Sequence, residues 1–313
     1  MRIIFFGTPA YSVGFLYSLI AADMSPIAVV SQPDRPVGRD KEILPTPVKE
    51  LAEANNIPVL QPENVNDPQS IANIKALNPD LIVVVAFGQI ISKDIIDIPK
   101  RGCINVHPSL LPLLRGATPL QGAILQGLSE TGITIMLMDE KMDHGPILAQ
   151  LRLPLAQDET YVSLAEKTID LGRTLLVDTI KKWTAGAITS KEQDHTAATF
   201  TKLLKKDSGK ITADMPVIAI QRMMRALQPW PGVWMEHEGK RVKILSIGQR
   251  IAHTDSLAGV LFTNTSLGNG TWLSATDGAL ELTSVQPEGK AAMSGEDFAR
   301  GYIRSNTNPT TTI

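Results

Sequence analysis

Cysteine is almost missing from this chain. One residue in 313, Cys103, rules out an internal disulfide and any multi-cysteine metal cluster. Its place in an apolar stretch reads as a small core residue. Long apolar runs are missing too: the longest clean one, Leu81 to Phe87, falls well short of the roughly 20 residues a bilayer-spanning helix needs. The opening Met1-Arg2-Ile3-Ile4-Phe5-Phe6 runs into Gly7-Thr8-Pro9 without the layout of a signal peptide, so a cytoplasmic protein with no membrane association is expected. No segment repeats, and charge of one sign is not in excess, the formal net being −2.

What is present is ordinary globular composition, 43% hydrophobic and 20% charged, which sets aside disorder and collagen-like chains. The length exceeds the usual single domain, so two are expected. The small net charge hides a split. Residues 1–200 carry 17 Lys and Arg against 22 Asp and Glu, while residues 201–313 carry 13 against 10. A polyanion partner for the C-terminal part fits that split, and an ordinary solvated surface fits it equally.

Apolar periodicity places strands at Ile3 to Phe6, Ile27 to Val30, Leu81 to Ala86 and Cys103 to Val106, with helices at Tyr11 to Ala22, Val48 to Asn55, Asp67 to Leu77 and Ala117 to Leu128. This alternation implies βαβ units, hence an α/β catalytic domain with a Rossmann-like, mostly parallel sheet and a site at the carboxyl ends of its strands. Two more strands, Ile133 to Met138 and Ile147 to Leu153, precede a long amphipathic helix, Thr160 to Thr184. Periodicity then fades over about 186–206, which reads as a linker ending a first domain of residues 1–205. Residues 207–313 show a helix near Met215 to Leu227, then short strand-like runs from Val233 to Val285 with Gly-rich turns, the pattern of a small OB-like β-barrel. The polar, Thr-rich tail from Ser305 is expected to fray.

Several catalytic signatures are absent. Gly7-Thr8-Pro9 stands where a dinucleotide fingerprint would, but lacks the G-x-G-x-x-G spacing. Ser109 is flanked by Pro108 and Leu110, not set in a G-x-S-x-G elbow. His107, Asp143 and His144 lack metal-ligand spacing, so no metal is expected. His144, His195, His237 and His253 read as surface or turn residues.

Asn105 and His107 lie two apart, so on a strand both side chains share a face where an amide and an imidazole could hold one oxygen. Asp143, arriving from another strand's end, could orient the imidazole. Such donors suit a developing oxyanion, with the substrate's own amine as nucleophile. Taken singly, an Asn-x-His on a strand is more often structural, and an Asp after a strand is commonly a cap.

The run Asn105 to Pro112, with Arg115-Gly116 and Asp143, resembles the folate-dependent formyltransferases, which move a formyl group from 10-formyltetrahydrofolate to an amine. The resemblance implies that Asn105, His107 and Asp143 are the catalytic trio and that Ser109, Leu110, Leu111 and Pro112 lie along the folate. It places Phe87, Gly88 and Asp139 around the pterin. Gln32 to Lys49 resembles the insertion of the branch that formylates the methionine α-amine on methionyl initiator tRNA. Gln228 to Gly232 and Gln286 to Lys290 resemble that branch's C-terminal domain. The resemblance implies tRNA contacts at Arg35, Arg39 and Lys41 and at Lys205 and Lys206, in an enzyme expected to be a monomer. Leu113 and Leu114 depart from the basic and aromatic residues frequent there, and His144 from a frequent Thr. A formyltransferase for a small sugar-nucleotide amine, or a tRNA- or folate-binding protein without turnover, are the competing readings.

Overall fold

The computed structural model describes residues 1–37, 42–252, 256–263 and 269–303. Arg39, Lys41 and the polar tail lie outside the described residues. The chain divides into two compact units. The first comprises Met1–Ala123, Leu128–Gln157 and Val162–Lys202; the second comprises Ile124–Gly127, Asp158–Tyr161 and Leu203–Ile313.

In chain order the elements up to residue 202 are β1 (Ile3–Gly7), α1 (Ala10–Ala21), β2 (Ala28–Val30), β3 (Arg35–Val37), β4 (Glu42–Leu44), α2 (Pro47–Ala54), β5 (Val59–Leu60), α3 (Pro68–Ala76), β6 (Leu81–Val85), α4 (Lys93–Ile96), β7 (Cys103–His107), β8 (Arg115–Gly116), α5 (Pro119–Gln126), β9 (Glu130–Leu137), β10 (Ile147–Pro154), α6 (Tyr161–Thr184) and β11 (Phe200–Thr201). Seven strands form the main sheet in the order β10-β9-β7-β6-β1-β2-β5. From β7 through β5 neighbours run parallel; β9 joins β7, and β10 joins β9, antiparallel.

β1 and β6 are buried at every position, as befits strands covered on both faces. Alternation along β1 sends Ile3 and Phe5 into a core with α1, α2 and α6, and Ile4 and Phe6 into a second core with α3 and α4. Asn105 and His107 share the face of Cys103, which belongs to the second core. Helix starts are written locally. Thr46 caps α2 by accepting from Lys49 N, and Asp67 caps α3 by accepting from Gln69 N and Ser70 N; each is followed by proline at the first helical position.

From β1 the chain moves to β2 and β5, then crosses back to β6 on β1's other side. That reversal opens a crevice at the carboxyl ends of β1 and β6, where such sheets bind ligands. Thr8 Oγ1 closes its floor by donating to the Phe87 carbonyl at 2.8 Å.

In the second unit, α7 (Val217–Ala226) precedes β12 (Val233–His237), β13 (Lys240–Ile251), β14 (Leu261–Thr263), β15 (Thr271–Ala275), β16 (Gly278–Pro287), β17 (Met293–Ser294) and α8 (Gly295–Tyr302). The strands form an antiparallel sheet ordered β12-β13-β16-β15-β14, with β17 on β16. Register shifts interrupt the β13–β16 pairing, and such bulges curl the sheet into a half-barrel. Its core holds Trp272, Leu273, Leu280, Leu282, Val285 and Phe298. Helix α8, which the sequence pattern did not announce, starts at Ser294, whose hydroxyl accepts from Asp297 N. Among the described residues no helix is long and apolar enough to cross a membrane.

Candidate active site

β7 carries Asn105 and His107 to the carboxyl end of the sheet, as alternation requires. Asp143 reaches them from the connection between β9 and β10. Its Oδ1 lies 3.5 Å from Asn105 Nδ2 and 3.6 Å from His107 Nδ1, while its Oδ2 accepts from Gly116 N at 2.7 Å. The trio therefore forms one cluster. The two Oδ1 contacts are longer than strong hydrogen bonds, so the amide and the imidazole keep donor capacity for a third oxygen. The His107 and Asp143 side chains are 5% and 14% exposed, and such burial strengthens every charge interaction among them.

The expected anchoring of His107 by Asp143 needs refinement. Nε2 lies 3.0 Å from the Leu114 carbonyl oxygen. A carbonyl only accepts, so Nε2 is the donor of that bond and Nδ1 is the nitrogen on the Asp143 side. The ring is fixed by backbone, and the carboxylate faces its Nδ1 edge.

The loop after β7 is stitched to β9 and β10. Thr134 Oγ1 donates to Ser109 O and accepts from Leu111 N, and Gln150 Nε2 donates to Leu111 O and to Thr134 Oγ1. Ser109 is buried and its hydroxyl donates to Leu113 O at 2.6 Å, so it shapes the loop from within. Leu111 is buried, whereas Leu110 and Pro112 are half-buried. Phe87 is buried edge-on against Phe6, and Gly88 takes a left-handed φ of 91° beside Gln32. Asp139 is engaged by His144, whose Nδ1 lies 2.6 Å from its Oδ2, and by Lys141 N.

Residues 186–206 do more than tether. Lys191 pairs with Ile147, and β11 pairs in parallel with β8. Between these two ties, Gln193 Nε2 donates to the carbonyls of Asp143 (2.9 Å) and Gly145 (2.7 Å), while Arg115 Nη2 donates to Gln193 Oε1. The exposed His195 ring stacks on the half-buried His144 with centroids 3.8 Å apart. Periodicity cannot reveal such a segment, because its contribution is long-range hydrogen bonding.

The Gln32 to Lys49 segment is held at its base. Lys49 Nζ lies 2.6 Å from Asp34 Oδ2, Gln61 Nε2 donates to Asp34 Oδ1, and β3 pairs with β4. The bonds from Lys49 and Gln61 pull the Asp34 carboxyl below its ordinary range, and the Asp34 bond raises Lys49. Arg35 pairs with Glu63 at 2.6 Å on the surface. In the second unit Lys205 and Lys206 are exposed, and the Arg241 guanidinium lies over the Trp234 ring at 3.8 Å. Burial pushes the Cys103 thiol up to about 12.

A formyl transferase family model matches residues 1–180, and a model of the formyl transferase C-terminal domain matches residues 203–303. The methionyl-tRNA formyltransferase of Chloroflexus aggregans is 44% identical over 303 residues, 96% of this chain and 97% of that protein. That of Bacillus licheniformis is 41% identical, covering 96% and 95%. Among solved structures, HypX from Aquifex aeolicus in complex with tetrahydrofolic acid aligns at TM-score 0.65 and 14% identity, over 97% of this chain and 48% of that one. The N-formyltransferase from Helicobacter canadensis, in complex with folinic acid and dTDP-3-aminofucose, aligns at 0.63 and 17%, over 90% and 98%. At those identities the structural neighbours share the fold alone. The chain belongs to the formyl transferase family and, at 44% identity along nearly its whole length, to the methionyl-tRNA formyltransferase branch.

Proposed function

We propose that this protein transfers the formyl group of 10-formyltetrahydrofolate to the α-amine of methionine carried on initiator tRNA. The observation that carries the reading is similarity spanning both units, at 44% identity, to methionyl-tRNA formyltransferases. When bound, the folate supplies a one-carbon unit at the formyl level. The residues present suit it. The half-buried Leu110 and Pro112 offer apolar surface and the exposed Gly88 of the crevice loop offers backbone polar groups, near a cluster of donors. Ser109, Leu111 and Asp139 would act there by shaping the loops.

Asn105 Nδ2 and His107 would bind the formyl oxygen, more strongly as it gains negative charge. Asp143 would hold a proton on His107 Nδ1 and take up the proton the amine loses, directly or through a water. The α-amine, with a pKa near 8, is partly neutral at pH 7 and needs orientation more than a strong base.

The catalytic part is assigned to residues 1–205 and a tRNA-holding part to 207–313, in a cytoplasmic monomer. Arg35, Arg39 and Lys41 in the insertion and Lys205 and Lys206 are assigned phosphate contacts, which position without reading sequence. Arg39→Ala is expected to raise KM for charged tRNA while leaving folate KM unchanged; an unchanged tRNA KM would remove Arg39 from the interface.

The test of the whole reading is a formylation assay with 10-formyltetrahydrofolate and three acceptors: methionyl initiator tRNA, the same tRNA uncharged, and an amino-sugar nucleotide. Product with the first alone is expected. Turnover of the amino-sugar nucleotide, unaffected by tRNA, would overturn it.

A further inference from the structure

We propose that Gln193 is a positioning residue, one that sets the Asp143 carboxylate for the reaction by clamping the turn that carries it. The inference rests on the role given to Asp143 above.

Gln193 is 6% exposed, and both ends of its carboxamide are engaged. Nε2 donates to the carbonyls of Asp143 and Gly145, at 2.9 and 2.7 Å, and Oε1 accepts from Arg115 Nη2 at 2.7 Å. The same Nη2 donates to His195 Nδ1 at 2.9 Å, a bond that requires that ring nitrogen to be unprotonated. Arg115 is itself buried, and its neighbour Gly116 gives its N–H to Asp143 Oδ2. Asp143 is thus gripped from two sides, by Gly116 through the side chain and by Gln193 through the main chain.

That grip has a conformational reason. Asp143 has a φ of 47°, in the left-handed region that L residues seldom occupy. Gly145 in the same turn is pressed so closely on β9 that a Cβ there would lie 2.1 Å from Leu137 O. A turn under such constraint needs partners to hold it. Gln193 is in turn fixed on both flanks: Ile147 and Lys191 exchange backbone bonds of 2.7 and 2.8 Å, and Thr199 accepts from Arg115 N through its carbonyl and from Leu114 N through its hydroxyl, both at 2.8 Å. Leu114 is the residue whose carbonyl holds His107. One segment therefore braces the supports of both His107 and Asp143. Misplacing a catalytic group by about 1 Å costs on the order of a hundredfold in rate.

The ordinary alternative is a buried glutamine that merely joins three loops. It would lower stability and leave turnover per folded molecule intact. The experiment that separates the two uses the full chain and four variants: Gln193→Met, which keeps volume without donors; Gln193→Glu, which keeps the acceptor for Arg115 but turns a carboxylate toward two carbonyls; Asp143→Asn; and Gln193→Met with Asp143→Asn. Tetrahydrofolate titration gives the concentration of folded sites, and kcat is expressed per site.

Both single Gln193 variants are expected to lose about ten- to a hundredfold in kcat, with folate and tRNA KM changed less than about threefold. The double variant is expected to be no slower than Asp143→Asn alone, because residues acting through one another are not additive. Wild-type kcat per site in Gln193→Met, full multiplication of the two losses, or loss of folate binding in both Gln193 variants overturns the proposal and leaves the function reading standing. Wild-type turnover in Asp143→Asn removes the role of Asp143 and this proposal with it.

Discussion

Leu114 adopts a left-handed backbone, φ 58°, and that twist belongs to the geometry that presents its carbonyl to His107 Nε2. With Nε2 fixed as a donor to backbone, Nδ1 is the ring nitrogen left facing Asp143. His107→Ala is accordingly expected to cost at least about a hundredfold in kcat, the range seen when one oxyanion donor is removed. Binding of charged tRNA should be largely retained, since the histidine is assigned to the reacting oxygen. Parallel measurement of kcat and of tRNA affinity checks this, and equal losses in both would move His107 to a binding role. Cys103, four residues earlier on the same face, shares none of this reactivity; its thiol faces the Ile95 and Ile96 carbonyls and stays protonated.

Among the elements, the ionic tie between Asp34 and Lys49 decides how well the base of the insertion is held. Asp34 titrates below its ordinary value when folded, so its contribution to stability is present above about pH 4 and is lost as pH falls through the folded value. Lys49 titrates above its ordinary value, so its contribution is present below about pH 10 and is lost as pH rises through the folded value. The tie is therefore intact throughout the neutral range. Asp34→Asn should raise KM for charged tRNA at pH 7, and its excess instability over wild type should shrink below pH 4. A pH-independent difference in Tm would show that the tie is not ionic.

Legibility followed the kind of signal each element carries. β1 and β6 could be read because fully buried strands are written as unbroken apolar runs, β7 because Ile104 and Val106 alternate with Asn105 and His107, and α2 and α3 because their caps and prolines are local. Asn105 and His107 could be paired from a spacing of two. The β3–β4 ribbon could not, since Pro36 argues against a strand. Helix α8 is eight residues of mixed polarity, recognisable mainly by the burial of Phe298, which is a tertiary event. Gln193 was hidden for a similar reason: its partners lie 48 to 78 positions away in the chain.

For the molecule as a whole, the excess of basic residues in 201–313 sets an expectation for tRNA binding. If Lys205, Lys206 and the insertion meet phosphates, the logarithm of affinity should fall linearly with the logarithm of salt concentration, each contact adding about 0.7 to 0.9 to the slope. Reversing Lys205 and Lys206 to Glu should flatten that line. A slope that ignores both substitutions would place the phosphate contacts elsewhere.

The return of residues 191–201 to the sheet bears on the order in which competence is acquired. Asn105, His107 and Asp143 have all been synthesised before α6 begins, yet the glutamine and threonine that brace them follow that helix. A nascent chain emerging to the end of α6 carries the reactive groups without their supports. The stretch between the two family matches, 181–202, includes those supports. A cut made there in the name of domain structure would sever the candidate site from its own scaffolding.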